Sequence, residues 1–232
     1  EKVFREAEGR IFVATFASLI SRIQQVINVA QRYDRKIVIA GRSMVQNVKM
    51  ARDLKILKAP DNLFVDLNNV KNIAPSKLVI MATGAQGEPS AVLARMARGR
   101  HRQLEIQQGD TIVLSSHPIP GNEEMVYRII NRLFQCGANV IYDPIASVHV
   151  SGHARQDEMR LLLNLIRPKY FLPVHGELRH LREHAKLGVE AGVPKENIIT
   201  VENGHVIEIT KGGISVGERI PGGYVFVDGL SV

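Results

Sequence analysis

The chain has 232 residues, of which 45% are hydrophobic, so it can bury a substantial core in one large domain or two small ones. Its single cysteine, Cys136, excludes an internal disulfide framework and a cysteine-based zinc knuckle. No apolar run approaches the roughly 18 residues that cross a bilayer. We therefore predict a cytoplasmic protein without a membrane partner. The net charge of +7, spread over scattered arginines, favours either a polyanionic partner or a merely solvated basic surface.

The first part of the chain alternates short apolar runs with amphipathic segments. The apolar runs are β-branched and nearly continuous, which is typical of strands covered on both faces. Repeated strand-then-helix order predicts a parallel sheet with right-handed crossovers. In chain order the elements are strand 10–16, helix 18–33, strand 36–40, helix 45–54, an irregular stretch at 55–76, strand 77–82, helix 88–97, strand 110–116, helix 122–137 and strand 138–143.

The composition and the loop type change near Pro144 to Ser147, which we take as the domain boundary. The dipeptide Asn203-Gly204 is a strong hairpin signal, so residues 197–210 are predicted to form two strands joined there. The α/β body should therefore end in a mostly antiparallel piece. In chain order the elements are helix 155–168, strand 169–175, helix 177–192, the two strands within 197–210, and further strands at 212–220 and 223–229.

Most of the chemical information lies in the loops that follow the strands: "TFAS", "AGRSM", "ATGAQGEPS", "SSHPIPGNE", "HVSGHA" and "PVHGE". Ligands of open α/β sheets bind outside the carboxyl ends of the strands, and helix N-termini attract anions. These loops therefore predict a rim suited to phosphates. None has the spacing of a P-loop or of GxGxxG. The alternative is that they are only turns leading into helices, with Ser43 as a cap and Pro89 near a first helical turn.

Three of the eight histidines are well placed for chemistry. "HVSGHA" holds His149 and His153, and "PVHGE" puts His175 at the end of a predicted strand, which is a rigid mount. The residues alone leave three roles open for His175: a core histidine, a general base or a metal ligand. A zinc site needs at least three protein ligands, and the sequence has no HxHxDH. The chain alone therefore supplies too few ligands for a catalytic metal site.

The other five histidines are predicted to be less specialised. His117 follows a strand and is a candidate anion contact. The remaining four are predicted to be mostly solvated: His101, His180, His184 and His205.

"HVSGHA" followed by "PVHGE" resembles the closing motifs of the β-CASP branch of the metallo-β-lactamase superfamily. With "TFAS", "GRSM", "TGAQGEP", "HRQL", "SSHPIPGNE" and "RPKYFLPVHGE" in order, nearly the whole chain resembles the ribonuclease J family. Ala85 departs from the serine of many relatives, so a side-chain hydroxyl contact is not expected there.

The resemblance implies an α/β fold with two parts. Residues 1–146 would be a Rossmann-like β-CASP domain, with a parallel sheet and helices on both faces. Residues 147–232 would be the C-terminal portion of a metallo-β-lactamase αββα domain. The N-terminal half of that domain, with HxHxDH, would precede Glu1, and a C-terminal domain would follow Val232. We therefore expect an exposed apolar face, and poor solubility or association as a homo-oligomer.

The resemblance also implies roles for individual residues. His175 matches the zinc-ligating histidine, and His153 matches the histidine that contacts the scissile phosphate and supports leaving-group protonation. Ser151 and Gly152 match the segment that holds the RNA phosphate, beside His149. The expected RNA- and phosphate-binding residues of the other loops are Arg42, Ser43, Gly84, Gln86, Gly87, Glu88, Ser115, Ser116 and Asn122.

The function implied is two-zinc hydrolysis of RNA, as a 5′→3′ exoribonuclease and endoribonuclease that prefers 5′-monophosphorylated substrates. The chain would supply the RNA-binding wall and one metal ligand, and would be inactive without the missing half. Two alternatives stay open: a non-catalytic Rossmann-type module for a nucleotide or oligonucleotide, and a DNA-processing β-CASP nuclease.

Overall fold

The computed structural model describes residues 1–143, 145, 146, 148, 150 and 152–222, so the strand predicted at 223–229 lies outside the described residues. The contacts divide the chain into two units, Glu1–Ser151 and Gly152–Val232. This division falls close to the predicted boundary, while the assignment of 1–146 and 147–232 to two domains stays a prediction. No helix in the described part of the chain is long and apolar enough to cross a membrane.

The first unit follows the predicted alternation of strands and helices. Two helices begin elsewhere than predicted: the third already at Arg42 rather than 45, and the fourth only at Val92, because residues 88–91 close a turn in which the Ala91 amide donates to the Glu88 carbonyl (3.0 Å). The bounds are α1 Lys2–Glu6, β1 Ile11–Ala14, α2 Ile20–Arg32, β2 Lys36–Ala40, α3 Arg42–Asp53, β3 Leu78–Ala82, α4 Val92–Ala97, β4 Thr111–Leu114, α5 Glu123–Gln135 and β5 Asn139–Ile141.

The described strands of this unit form one parallel sheet in the order β2-β3-β1-β4-β5. Successive residues of a strand point to opposite faces. Ile11 and Val13 of β1 pack in one hydrophobic cluster with α2 and α3, whereas Phe12 and Ala14 pack in the other cluster with α4 and α5. The predicted fold class is therefore confirmed: an α/β fold whose parallel sheet carries helices on both faces.

The irregular stretch between α3 and β3 passes around the β2 edge of the sheet. Phe64 forms an isolated parallel bridge with Ile37 of β2, and the Val65 amide donates to the Ile37 carbonyl (2.9 Å). Leu57 and Leu63 belong to the cluster on the α3 face, whereas Val70 belongs to the cluster on the opposite face. The stretch thus carries the chain from one face of the sheet to the other.

The second unit contains two helices and an antiparallel hairpin among its described residues, with bounds α6 Gln156–Ile166, α7 Leu178–Glu190, β6 His205–Thr210 and β7 Gly213–Arg219. The predicted pairing of two strands about Asn203-Gly204 was wrong. That dipeptide does form a turn, with Gly204 at φ +97°, but it precedes the hairpin, which turns at residues 211 and 212.

The strand predicted at 169–175 was also wrong. Only Phe171 makes a β-bridge, to Ile198. The segment contains Pro173, which has no backbone N–H to donate to a ladder. His175 therefore lies in a bend that follows an extended segment, immediately before the Gly176-Glu177 pair that leads into α7.

The buried apolar residues of the second unit come from both helices and the turn after α7: Leu163, Leu181, Leu187 and Val193. A Cβ atom at Gly188 would lie 2.6 Å from the Phe171 ring, so glycine permits this close approach within a helix. One helix of this unit instead exposes much of its apolar surface: Leu161, Leu162, Leu165 and Ile166 of α6 are 57–72% exposed.

Candidate functional site

Four strands of the first unit end at the same level. Ala14 of β1 is in register with Ala82 of β3 and Leu114 of β4, and Ala82 is also in register with Ala40 of β2. The loops that follow these residues therefore leave the sheet along one edge, which we call the rim: residues 15–19, residue 41, residues 83–91 and residues 115–122. The carboxyl edge of a parallel sheet is where ligands bind in folds of this type.

Glycines allow the rim loops to pack closely. Gly41 has φ +110°, and a Cβ there would lie 2.9 Å from the Val92 side chain. Gly87 has φ +77°, and a Cβ there would lie 2.5 Å from the Met125 carbonyl group in α5. Both positions require a backbone conformation that glycine adopts at little cost. The predicted phosphate-binding glycines Gly84 and Gly87 are themselves buried, so they shape the rim from within.

Gln86 joins two rim loops through its side chain, which is 2% exposed. Its Nε2 donates to the Ser116 hydroxyl (3.2 Å) and to the His117 carbonyl (2.9 Å). Its Oε1 accepts from the Ile119 amide (2.8 Å) and from the Asn122 side chain (3.4 Å). Because both ends of the amide are already bonded, the geometry makes Gln86 a brace that holds the two loops together.

Ser115 and Ser116 are also buried, at 2% and 4% exposure. The Ser116 hydroxyl donates to the Ala85 carbonyl (3.2 Å), and the Ser115 hydroxyl donates to the Val148 carbonyl (2.8 Å). Arg22 of α2 donates to the same two groups, the Ser115 hydroxyl and the Val148 carbonyl, at 2.8 Å each. Sequence reasoning missed Arg22, since it stands in the first turn of a helix and outside every recognised motif.

One buried hydroxyl at the rim is unpaired. Thr15 follows β1 and is 1% exposed, and its Oγ1 is the buried side-chain atom that lacks a hydrogen-bond partner among the described residues. Buried hydroxyls usually have a partner.

The exposed predicted residues of the rim are Arg42, Ser43 and Glu88, and Asn122 is half-buried. The interpretation of Ser43 as a helix cap was wrong, because Gly41 is the N-cap of α3 and no side chain caps that end. Arg42 and Ser43 are thus exposed at a helix N-terminus, where anions are favoured. Asn122 is the N-cap of α5.

Acidic groups reduce the attraction for anions at the α5 end of the rim. Glu123 and Glu124 lie in the first turn of α5, and Glu123 accepts from the Gly121 amide (2.6 Å). His117, a predicted anion contact, hydrogen-bonds through Nδ1 to Asp143 (2.7 Å), a carboxylate that sequence reasoning did not single out. The α3 end is therefore the more favourable end for phosphate.

His153 and His175 meet in the second unit. Their rings stack with centroids 5.4 Å apart and planes inclined by 17°, and both residues are exposed. Gly152 is exposed beside His153, with open space around it. The predictions for His149 and Ser151 fall on residues outside those that the structure describes.

The backbone at His175 is unusual for a non-glycine residue, with φ +66°. The turn that follows is fixed by a capping box on α7, in which the Glu177 amide donates to His180 Nδ1 (3.1 Å). A Cβ at Gly176 would lie 3.0 Å from the His180 Cβ, so glycine leaves room for this cap. His180 is thus a capping residue, and the turn orients His175.

Three of the four histidines predicted to be solvated are half-buried: His101, His184 and His205. The His184 ring contacts the Phe171 ring edge-on, with centroids 4.9 Å apart, and burial lowers the pKa of His184. His101 Nδ1 accepts from the Leu104 amide (3.1 Å), and burial, together with the charge of Arg95, lowers the pKa of His101.

The described residues supply part of a metal site only. Imidazole nitrogen is a good zinc donor, and the exposed ring of His175 fits that chemistry. No group of three or more histidine, cysteine, aspartate or glutamate residues that could hold a metal ion occurs in the part of the chain that the structure describes. The donor type therefore fits zinc, whereas the donor number falls short of a complete site.

Comparison with protein families gives two matches. Residues 8–133 match "Ribonuclease J, beta-CASP domain", which covers strands β1 to β4 of the parallel sheet and the rim. Residues 137–201 match "Zn-dependent metallo-hydrolase RNA specificity domain", which covers both stacked histidines.

Curated relatives match over almost the entire chain. The chain is 47% identical over 228 residues to ribonuclease J of Synechocystis sp., covering 98% of this chain and 36% of the relative. It is 45% identical over 229 residues to ribonuclease J of Mycolicibacterium smegmatis, covering 99% of this chain and 41% of the relative. It is 46% identical over 232 residues to ribonuclease J of Thermus thermophilus, covering 100% of this chain and 40% of the relative. The chain thus spans about two fifths of the length of these relatives.

Proposed function

The chain belongs to the ribonuclease J family, and on that premise we propose that it is part of a zinc-dependent nuclease that hydrolyses phosphodiester bonds in RNA. The observation that carries the proposal is the stack of His153 on His175, within the segment matched to an RNA specificity domain of zinc-dependent hydrolases. Two exposed imidazoles at one place suit a site that handles both a metal ion and a phosphate.

We assign His175 as one zinc ligand. Its left-handed backbone and the capped turn behind it set the direction in which the side chain leaves the chain, and a defined mount suits a metal ligand. Zinc bound there would lower the pKa of a bound water and stabilise charge on the phosphate. The remaining ligands for two zinc ions would come from a segment of the full-length protein that corresponds to the part of the relatives not matched by these 232 residues.

His153 would contact the scissile phosphate and support protonation of the leaving oxygen. Its ring is exposed and lies against the proposed ligand, so a phosphate held beside His175 would also be within reach of His153. We extend the phosphate-holding role to Gly152, Ser151 and His149.

The rim would bind the phosphates of the RNA. Arg42 and Ser43 would contact them directly, because both are exposed at a helix N-terminus that no side chain caps. Gln86, Ser115 and Ser116 would act by fixing the loops, since their side chains are buried and bonded within the rim. Glu88 is exposed and anionic, and it would limit how closely phosphates approach that loop.

We further propose 5′→3′ exonucleolytic and endonucleolytic cleavage of 5′-monophosphorylated RNA. The test compares the full-length protein with its His153→Ala variant on 5′-monophosphorylated RNA, 5′-hydroxyl RNA and DNA of one sequence. Loss of a proton-transferring group costs about 10²- to 10⁴-fold in turnover, so turnover by His153→Ala should fall much more than RNA affinity.

His205→Ala serves as the matched control, because His205 lies in the same unit at the hairpin and outside the stack. Equal turnover by His153→Ala and His205→Ala would remove the role assigned to His153. Equal cleavage of DNA and RNA would favour a DNA-processing nuclease. Binding of RNA without zinc-dependent cleavage would favour a non-catalytic binding module.

A further inference from the structure

A shallow depression of about 390 Å³ lies on the flank of the first unit, between the end of α4 and the surface of α5. Four arginines line it: Arg98 and Arg100 from the turn after α4, and Arg128 and Arg132 from α5. In the sequence these arginines are scattered, and the fold gathers them around one concave surface, which we call the arginine depression.

The turn after α4 holds the first two arginines in place. The Gly99 amide donates to the Met96 carbonyl (3.0 Å), and the Arg100 amide donates to the Arg95 carbonyl (2.8 Å). Gly99 itself has φ +65°. This is the Schellman pattern of helix termination, in which glycine takes the left-handed position. Arg98 and Arg100 flank that glycine and therefore project from a fixed turn.

The charge of the depression is only partly compensated. Arg132 donates to the Ala97 carbonyl (3.2 Å) and to the Gln135 side chain (3.0 Å), which fixes its guanidinium group. Arg128 pairs with Glu124 (2.6 Å), but both side chains are largely exposed, so the pair is weak. The side chains of Arg98 and Arg100 make no hydrogen bond or ion pair with another residue in the described part of the chain.

The depression is separate from the rim. Helices that connect parallel strands run back along the sheet, so they end near the edge where the strands begin. Arg98 is the C-cap of α4, and Arg132 lies in the last turn of α5. A role in neutralising the helix termini accounts for Arg132, which bonds to a terminal carbonyl, but leaves Arg98 and Arg100 unexplained.

The lining indicates the class of ligand. Guanidinium groups bind phosphate oxygens with paired N–H donors. Among the described residues that line the depression none is aromatic, so it offers no platform for base stacking. We propose that the arginine depression binds the sugar-phosphate backbone of single-stranded RNA, without regard to sequence, as a surface separate from the rim. This inference rests on the proposed function, because it takes RNA as the ligand.

The test uses the full-length protein with the double substitution Arg98→Gln and Arg100→Gln. Single-stranded RNA of about 30 nucleotides should bind about tenfold more weakly at low salt, and the slope of log affinity against log salt should become less steep by about 1.4, since each phosphate contact contributes about 0.7. An RNA of about four nucleotides should bind and be cleaved nearly as in the wild type, because its few phosphates would be engaged by the residues of the proposed site.

The matched control is Lys49→Gln with Lys71→Gln, which removes the same charge from exposed positions of the same unit. Equal weakening by both double variants would overturn the proposal, as would an unchanged salt slope for the long RNA. If the substitutions weakened binding of poly-glutamate and left binding of the long RNA unchanged, the result would overturn the RNA proposal in favour of an acidic protein partner. Failure of the wild type to bind any RNA would instead overturn the proposed function.

A second measurement needs no substitution. Phenylglyoxal modifies accessible arginines, and mass spectrometry reads the modified positions. The long RNA should protect Arg98 and Arg100 in the wild-type protein, whereas the short RNA should leave them reactive. Equal reactivity of the two arginines with and without long RNA would contradict the proposal even if the double variant failed to fold.

Discussion

His153 and His175 bring the starts of two helices together. His153 precedes α6 and His175 precedes α7, and the two rings stack with centroids 5.4 Å apart. The N-terminal end of a helix carries a partial positive charge. A negatively charged phosphate at the stack would gain from the imidazoles, whereas Asp157 and Glu158 in the first turn of α6 and Glu177 at the N-cap of α7 offset the positive helix ends.

Zinc stoichiometry tests the assignment of His175. We expect the 232-residue chain by itself to retain fewer than two zinc ions per molecule after dialysis, because its described residues provide too few donors for two complete sites. Elemental analysis by mass spectrometry gives the ratio. His175→Gly removes the imidazole, and glycine adopts φ +66° without the cost of about 1–2 kcal/mol that an L residue bears there. Two tightly retained zinc ions, unaffected by His175→Gly, would contradict the assignment.

Gln86→Ala should destabilise the first unit. The substitution leaves the His117 carbonyl and the Ile119 amide without their partner, at a cost of about 1–3 kcal/mol in the free energy of unfolding. Urea denaturation measures this change. Gln31→Ala, at an exposed position of α2, is the control and should change the free energy little. RNA affinity should fall with Gln86→Ala as well, because the rim loops lose their brace; equal effects of the two variants would exclude that role.

Arg10 and Asp110 form a buried ion pair whose disruption should be costly. Arg10 donates to both Asp110 carboxylate oxygens (2.8 and 2.6 Å), and the two residues are 8% and 3% exposed. Asp110→Ala leaves a buried charge unpaired, so we expect a loss of about 3–5 kcal/mol in the free energy of unfolding. The double variant Arg10→Met with Asp110→Leu should lose less than Asp110→Ala alone. A greater loss in the double variant would show that the pair itself supplies the stability.

Acid should destabilise the second unit through His184. Burial lowers the pKa of His184, so the folded state binds a proton less readily than the unfolded state, whose histidine titrates near pH 6.5. The contribution of His184 is complete above about pH 6.5 and declines as the pH falls from there toward the lowered pKa. His184→Phe should flatten the dependence of unfolding free energy on pH in that window. His205→Phe is the control, and an equal flattening by both would contradict the prediction.

The sequence predicted the parallel sheet well because its strands are short apolar runs of β-branched residues. Such a run has one stable location, between two layers of helices. The hairpin was placed wrongly because Asn203-Gly204 signals a turn but not which strands flank it. Among the described residues, the β-pairing of residues 198–201 is limited to the bridge between Ile198 and Phe171, and the long ladder forms one turn later, between β6 and β7.

The candidate site was predicted in part. The motifs identified His153 and His175, whose stacking depends on where two loops meet and could not be derived from spacing. The motifs also proposed Gln86, Ser115 and Ser116 as RNA contacts, whereas their hydrogen bonds are internal to the rim. A polar residue in a glycine-rich loop has the same sequence signature whether it faces a ligand or fixes the loop, and only its burial distinguishes the two.

The passage of the chain around the edge of β2 has a consequence for assembly. An open sheet presents unpaired backbone groups at its edges, and a strand from another molecule can add there. Phe64 forms a β-bridge with Ile37, the second residue of β2, and the Val65 amide donates to the Ile37 carbonyl. A foreign strand could pair along this edge only after that segment detaches, so strand-exchange aggregation through β2 would first require local unfolding.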